Sequence, residues 1–199
     1  RGMRHLLFIK VGYGVGAGLL FDGRIFHGST GFAGEIGHIA LDNNGPICIC
    51  GSRGCLEALS SGRAIAEQAR KLVAAGTHTR LGSKEINGEI TAQNVAHAAQ
   101  RGDLVAQEII HQAGEYLGIA IASMINIVNP QMIVIGGGVA QVGDLLLSPV
   151  RRVVKERSLE GAAQNLRINA AVLGRRSTSL GAVVQALNLA IHHCIEETV

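Results

Sequence analysis

"HLLFIKVGYGVGAGLLFDGRIFHG" runs from His5 to Gly28. Its first seven residues read as a strand. Asp22-Gly23 then falls between "GLLF" and "RIFH", the dipeptide that best fits a two-residue hairpin between two strands. Between the first strand and this hairpin lies a glycine run, Gly12 to Gly18. Glycine tolerates positive φ and lets backbone N–H groups approach an anion. No helix follows this run, which excludes the dinucleotide fingerprint, and no lysine follows in the Walker position. The chain therefore opens on a strand, a glycine turn and a hairpin.

Outward from that opening, the pattern alternates. "HIAL" (His38 to Leu41) is expected to be a short strand. Ser61 is placed to cap a helix to about Ala75, Thr91 one to about Gln100, and Asp103 a long one through about Val128. "MIVIGGG" reads as a strand ending in glycines. "GDLLLSPVRRVVKERS" reads as an amphipathic helix with Pro149 near its start, "RINAAVL" as a strand and "STSLGAVVQALNLAIHHCI" as a final helix. "AGTHTRLGSKEINGE" reads as a surface loop. Strands alternating with helices make this an α/β protein.

The 199 residues are 47% hydrophobic and 17% charged, enough for a proper core. A net charge of +3 is too weak a bias to argue for nucleic acid or an acidic membrane, and 3% aromatics offers little for base stacking. The most apolar stretch, Leu117 to Ala140, is broken by Asn126, Asn129, Pro130 and Gln131, so it reads as a buried helix and a buried strand. No signal peptide opens the chain, and a cytoplasmic protein is expected. The immediate entry into a strand after "RGMR" suggests a piece of something longer. "RRVVKER" (Arg151 to Arg157) reads as the solvated face of its helix.

Three of the four cysteines, Cys48, Cys50 and Cys55, crowd into "CICGSRGC". In a reducing compartment, clustered thiols point to metal. Structural zinc wants four sulfur or nitrogen ligands in a tetrahedron, and the nearest imidazole is His38. The turn-rich segment between them, with Asn43, Asn44, Gly45 and Pro46, can fold back. With four protein ligands the site would be structural. The competing reading is three buried small hydrophobes, although the segment is polar and glycine-rich. Cys194, alone in the last helix, reads as inert.

Glu35 precedes His38 by three residues and Glu57 follows Cys55 by two. A metal that fixes His38 and Cys55 would fix both carboxylates beside an imidazole, an arrangement suited to a ligand rich in hydroxyls. The alternatives are a solvated Glu35 and a Glu57 that simply opens a helix. Gly136, Gly137 and Gly138 close a strand where a nucleotide, or only a turn, could sit.

"GEIGH" followed by "CICGSRGCLE" matches ExGH and CxCGxxGCxE, and together with "GVGAGLLFDGRIFHGSTGFAGEIGH" and "NPQMIVIGGG" the chain resembles the ROK family of repressors and sugar kinases over nearly its whole length. The resemblance implies a hexokinase–actin-like (ribonuclease H-like) fold with a mixed sheet, flanking helices and a zinc-binding loop. It implies that residues 1–199 form the second, larger domain, whose final helix, about 178–195, packs towards a first domain. It implies zinc at His38, Cys48, Cys50 and Cys55, sugar contacts from Glu35, His38 and Glu57, and a homodimer.

In the family's kinases a first domain carries a DxGxT phosphate motif and an Asp that acts as base; neither occurs in these residues. ATP with Mg2+ is therefore expected only under a kinase reading, with Gly12, Gly14, Gly136, Gly137 and Gly138 as nucleotide contacts. Those kinases read GTGxGxG where this chain has Tyr13. The resemblance thus tips towards a hexose-responsive transcriptional regulator that meets DNA only through an N-terminal domain, over a glucokinase-like enzyme.

Overall fold

The computed structural model describes residues 2–82 and 88–196. Strand β1 (Leu6–Val11) pairs antiparallel with β2 (Val15–Phe21), which pairs antiparallel with β3 (Arg24–Phe26). The β2–β3 connection is Asp22-Gly23, with φ of 50° and 76°. Positive φ at both positions is the geometry that matches the twist of the flanking strands.

On its other edge β1 pairs in parallel with β4 (Met132–Gly136), and β4 with β5 (Arg167–Ala170). The order is β3-β2-β1-β4-β5. Parallel neighbours need a crossover. Between the two halves of the sheet come α1 (Leu56–Ser60), α2 (Gly62–Ala74), α3 (Ala92–Gln100) and the long α4 (Leu104–Val128). Helix α5 (Asp144–Arg157) leads through the short α6 (Glu160–Ala163) to β5, and α7 (Ser177–Glu196) follows.

The caps are those expected. Ser61 accepts from the Ala64 amide, Thr91 forms a capping box with Asn94, and Asp103 accepts from the Ala106 amide. Each satisfies helix-end donors that would otherwise be orphaned. Leu7, Ile9, Ile133 and Ile135 alternate onto one face of the sheet and are fully buried with Ile109, Leu117 and Ile121 of α4. Gly114 and Gly118 let α5 lie close: a β-carbon there would meet Pro149 and Val153.

Two expectations are corrected. "HIAL" is not a strand. Ile36–His38 is a 3-10 turn, and only Ala40 bridges, to Cys55. A strand could not bend around the cysteine loop as this segment does. Pro149 is the sixth residue of α5, not near its start. There it packs on Gly114, which offsets the lost backbone hydrogen bond. The solvated reading of residues 151–157 holds for Arg151, Arg152, Lys155, Glu156 and Arg157, while Val153 and Val154 are buried. No helix among the described residues is long and apolar enough to cross a membrane. Of the surface loop, residues 83–87 lie outside the described residues, and Leu81 beside them is buried.

Candidate metal centre and carboxylate site

The segment Gly34–His38 is laid against the backbone of β2. The Ala17 amide donates to the Gly34 carbonyl at 2.7 Å. Gly34 has φ +99°, and a β-carbon there would overlap the Ala17 carbonyl oxygen; one at Gly37 would overlap that of Val15. Only glycine allows this approach, and it is what presents Glu35 and His38 at the sheet margin.

The cysteine loop folds back onto the same segment. The Leu41 amide donates to Gly54, the Leu56 amide to Ile39 and the Cys48 amide to Ser52, at 2.7–2.9 Å. His38, Cys48, Cys50 and Cys55 are thereby gathered with all four ligand atoms within 4.8 Å of one another. His38 Nδ1 lies 3.7 Å from Cys48 Sγ, and Cys50 Sγ lies 3.7 Å from Cys55 Sγ. Zinc–sulfur bonds of about 2.3 Å at a tetrahedral angle require sulfurs about 3.8 Å apart. The four donors thus fit a structural zinc in type, number and spacing. A hydrogen bond from the Ser52 backbone lowers the Cys50 thiol to about 7, while burial pushes Cys55 up to about 11. Thiolate, the metal-binding form, is thus most accessible at Cys50.

With Nδ1 turned to the thiols, His38 Nε2 faces outward, 3.9 Å from Glu35 Oε2. Glu35 is 57% exposed at its side chain. Glu57, in the first turn of α1, is the reverse: its side chain is 12% exposed. Its Oε2 accepts the Val15 amide at 3.0 Å, and Arg63 approaches Oε1 at 3.7 Å. Gly14 leaves room for that carboxylate, which a β-carbon would strike. The link from Glu57 to the glycine turn has no sequence signature, although the pairing of Gly14 with Glu57 explains why that position lacks a side chain.

Beyond the turn lies a groove of about 840 Å³, lined among others by Lys10, Gly12, Tyr13, Arg63, Arg70, Gly137 and Gly138. The two glycine turns are therefore brought to one wall; Gly14 instead meets Glu57, and Gly136 packs on Phe8. Tyr13 stands at the groove with 83% of its surface exposed. The arginines were not singled out by sequence reading. Arg70 is already satisfied by the Ile90 carbonyl at 3.0 Å and Glu89 at 2.8 Å.

A mixed sheet of this order, flanked by helices and carrying a Cys3His loop beside carboxylates, defines a hexokinase–actin-like domain. More particularly, the chain belongs to the ROK family, whose profile matches residues 1–188. It is 37% identical to the xylose repressor of Caldicellulosiruptor bescii over 183 residues, 92% of this chain and 46% of that protein. It is 38% identical to the glucokinase of Halalkalibacterium halodurans over 182 residues, 90% of this chain and 55% of that enzyme. Among solved structures, a ROK family transcriptional regulator homologous to the Escherichia coli Mlc protein superposes with a TM-score of 0.78 at 37% identity, covering 84% of this chain and 41% of that one. The chain spans about half the length of the curated relatives it matches.

Proposed function

We propose that this chain is the hexose-binding, dimerising domain of a sugar-responsive transcriptional regulator of the cytoplasm. Glu35 and Glu57 would accept hydrogen bonds from sugar hydroxyls, and His38 Nε2 would add a third polar contact. His38, Cys48, Cys50 and Cys55 would hold a zinc ion. Bound there, the metal supplies no reaction chemistry; it fixes the loop that carries the imidazole. Charge-assisted hydrogen bonds from hydroxyls to carboxylates give the ligand its orientation.

The observation that carries the regulator over the kinase is Tyr13. A bulky ring stands at the glycine turn, on the groove wall formed with Gly137 and Gly138, where the kinases' small Thr would face nucleotide phosphates. Relatives of both kinds match about equally well, so identity does not decide.

In this reading α7 packs against a first domain. Its exposed Leu180, Val183, Val184 and Leu187 supply an apolar face for that contact. Sugar would then act by binding the closed arrangement of the two domains more tightly than the open one, which biases a DNA-binding domain. The test is a coupled ATPase assay on the full-length protein across a hexose panel, beside a DNA-shift assay with and without sugar. Sugar-sensitive DNA binding without ADP release is expected. Robust hexose-dependent ADP release with no DNA binding would make the protein a kinase.

A further inference from the structure

Glu57 presents a problem of charge. Its carboxylate is largely withdrawn from water, and a buried charge is costly unless paired. One oxygen is settled by the Val15 amide. Arg63 NH2, 3.7 Å from the other oxygen, is the cation paired with it among the described residues. That distance is beyond an ordinary hydrogen bond, so the guanidinium attracts Oε1 without occupying its lone pairs. A carboxylate accepts at about four positions, and Oε1 keeps acceptor capacity for a ligand hydroxyl.

Arg63 is itself held in place. It is the second residue of α2, whose first amide, Gly62 N, donates to the Gly12 carbonyl at 2.7 Å. The same turn carries the Val15 amide at its far end. Glu57 is thus gripped from both ends of one glycine turn: directly through Val15, and through Arg63 on the helix that the turn anchors.

We propose that Arg63 is a positioning residue that holds the Glu57 carboxylate aimed for a sugar hydroxyl. The inference rests on the reading of Glu57 as a hexose contact. Arg63 does not touch the sugar itself; it acts through Glu57.

The test is a double-mutant cycle on the full-length protein, titrated calorimetrically with the hexose that binds the wild type most tightly. Arg63→Met should weaken binding by about 5-fold, within the range of direct pairwise couplings. Arg63→Lys, which restores the cation, should recover most of that loss. In a Glu57→Gln background, Arg63→Met should change affinity by less than 2-fold. An undiminished loss in that background would show that Arg63 acts elsewhere and overturn the proposal. So would Arg63→Met binding like wild type while Glu57→Gln binds weakly. If Glu57→Gln itself binds like wild type, the hexose reading of Glu57 falls and takes this inference with it. Circular dichroism confirms that each variant is folded.

Discussion

The cysteine loop and the glycine-turn groove lie on either side of Glu57, and they differ in completeness. In the loop, four metal-type donors converge within 4.8 Å, and Glu35 stands beside one of them, His38. In the groove, Gly12, Gly137 and Gly138 stand beside an exposed Tyr13, whose ring under the proposed function takes the place of a phosphate-facing Thr. The loop thus gathers metal-type and polar donors in one place, whereas the groove presents an exposed aromatic ring beside its glycines.

The largest expected effect belongs to the loop. Cys50→Ser removes one of four donors and the thiol most readily ionised. Bound metal, measured by mass spectrometry on protein prepared without chelator, should fall from about one equivalent to near zero, and the melting temperature should fall with it, since structural metal binding is folding free energy. Retained metal, or metal lost with no change in melting, would detach the loop's order from the ion.

A smaller effect is expected at a carboxylate remote from the loop. Burial opposes the charge of Asp103, but donors from the Ala106 and Arg80 amides and the Thr79 hydroxyl outweigh it and hold its pKa below the usual value. Asp103→Ala should cost about 1–3 kcal/mol, as a lost cap plus stranded donors. A folded pKa below the unfolded value of about 3.9 means this stabilisation is present above that pH and lost as pH falls through the folded value. The variant's deficit in denaturant melts should therefore shrink below about pH 4. A deficit unchanged down to pH 2 would mean that the charge is not what stabilises.

The smallest effect sharpens the groove side. Tyr13→Thr in the full-length protein should tighten binding of a non-hydrolysable ATP analogue a few-fold and leave hexose affinity unchanged. An unaltered nucleotide affinity would remove the ring as the obstacle.

Much of this was legible in the sequence because local chemistry carries it. Asp22-Gly23 specifies its hairpin, and Ser61, Thr91 and Asp103 specify their helix starts. The Cys3His cluster was legible because thiol spacing constrains what a short loop can do. The 3-10 turn at Ile36–His38 was not, since its shape comes from two glycines meeting the β2 backbone, a contact distant in sequence. Neither was the grip of Val15 and Arg63 on Glu57. It depends on α1, α2 and the β1–β2 turn being brought together, and no periodicity announces that. Helices α4 and α7 make the same point: both are apolar, yet Ile109, Leu117 and Ile121 are buried whereas Leu187 and Leu189 are 56% and 70% exposed. Pattern shows that a helix has an apolar face, not what covers it.

The most direct measurement of the central claim is a calorimetric hexose titration of the full-length protein and its Glu35→Ala variant. Glu35 lies at the surface, so the fold should be spared. Loss of a charged acceptor should weaken binding of the cognate hexose by about 1.5–3 kcal/mol with an unchanged melting temperature. Equal affinity for that hexose in the two proteins would contradict a sugar site at the Cys3His loop.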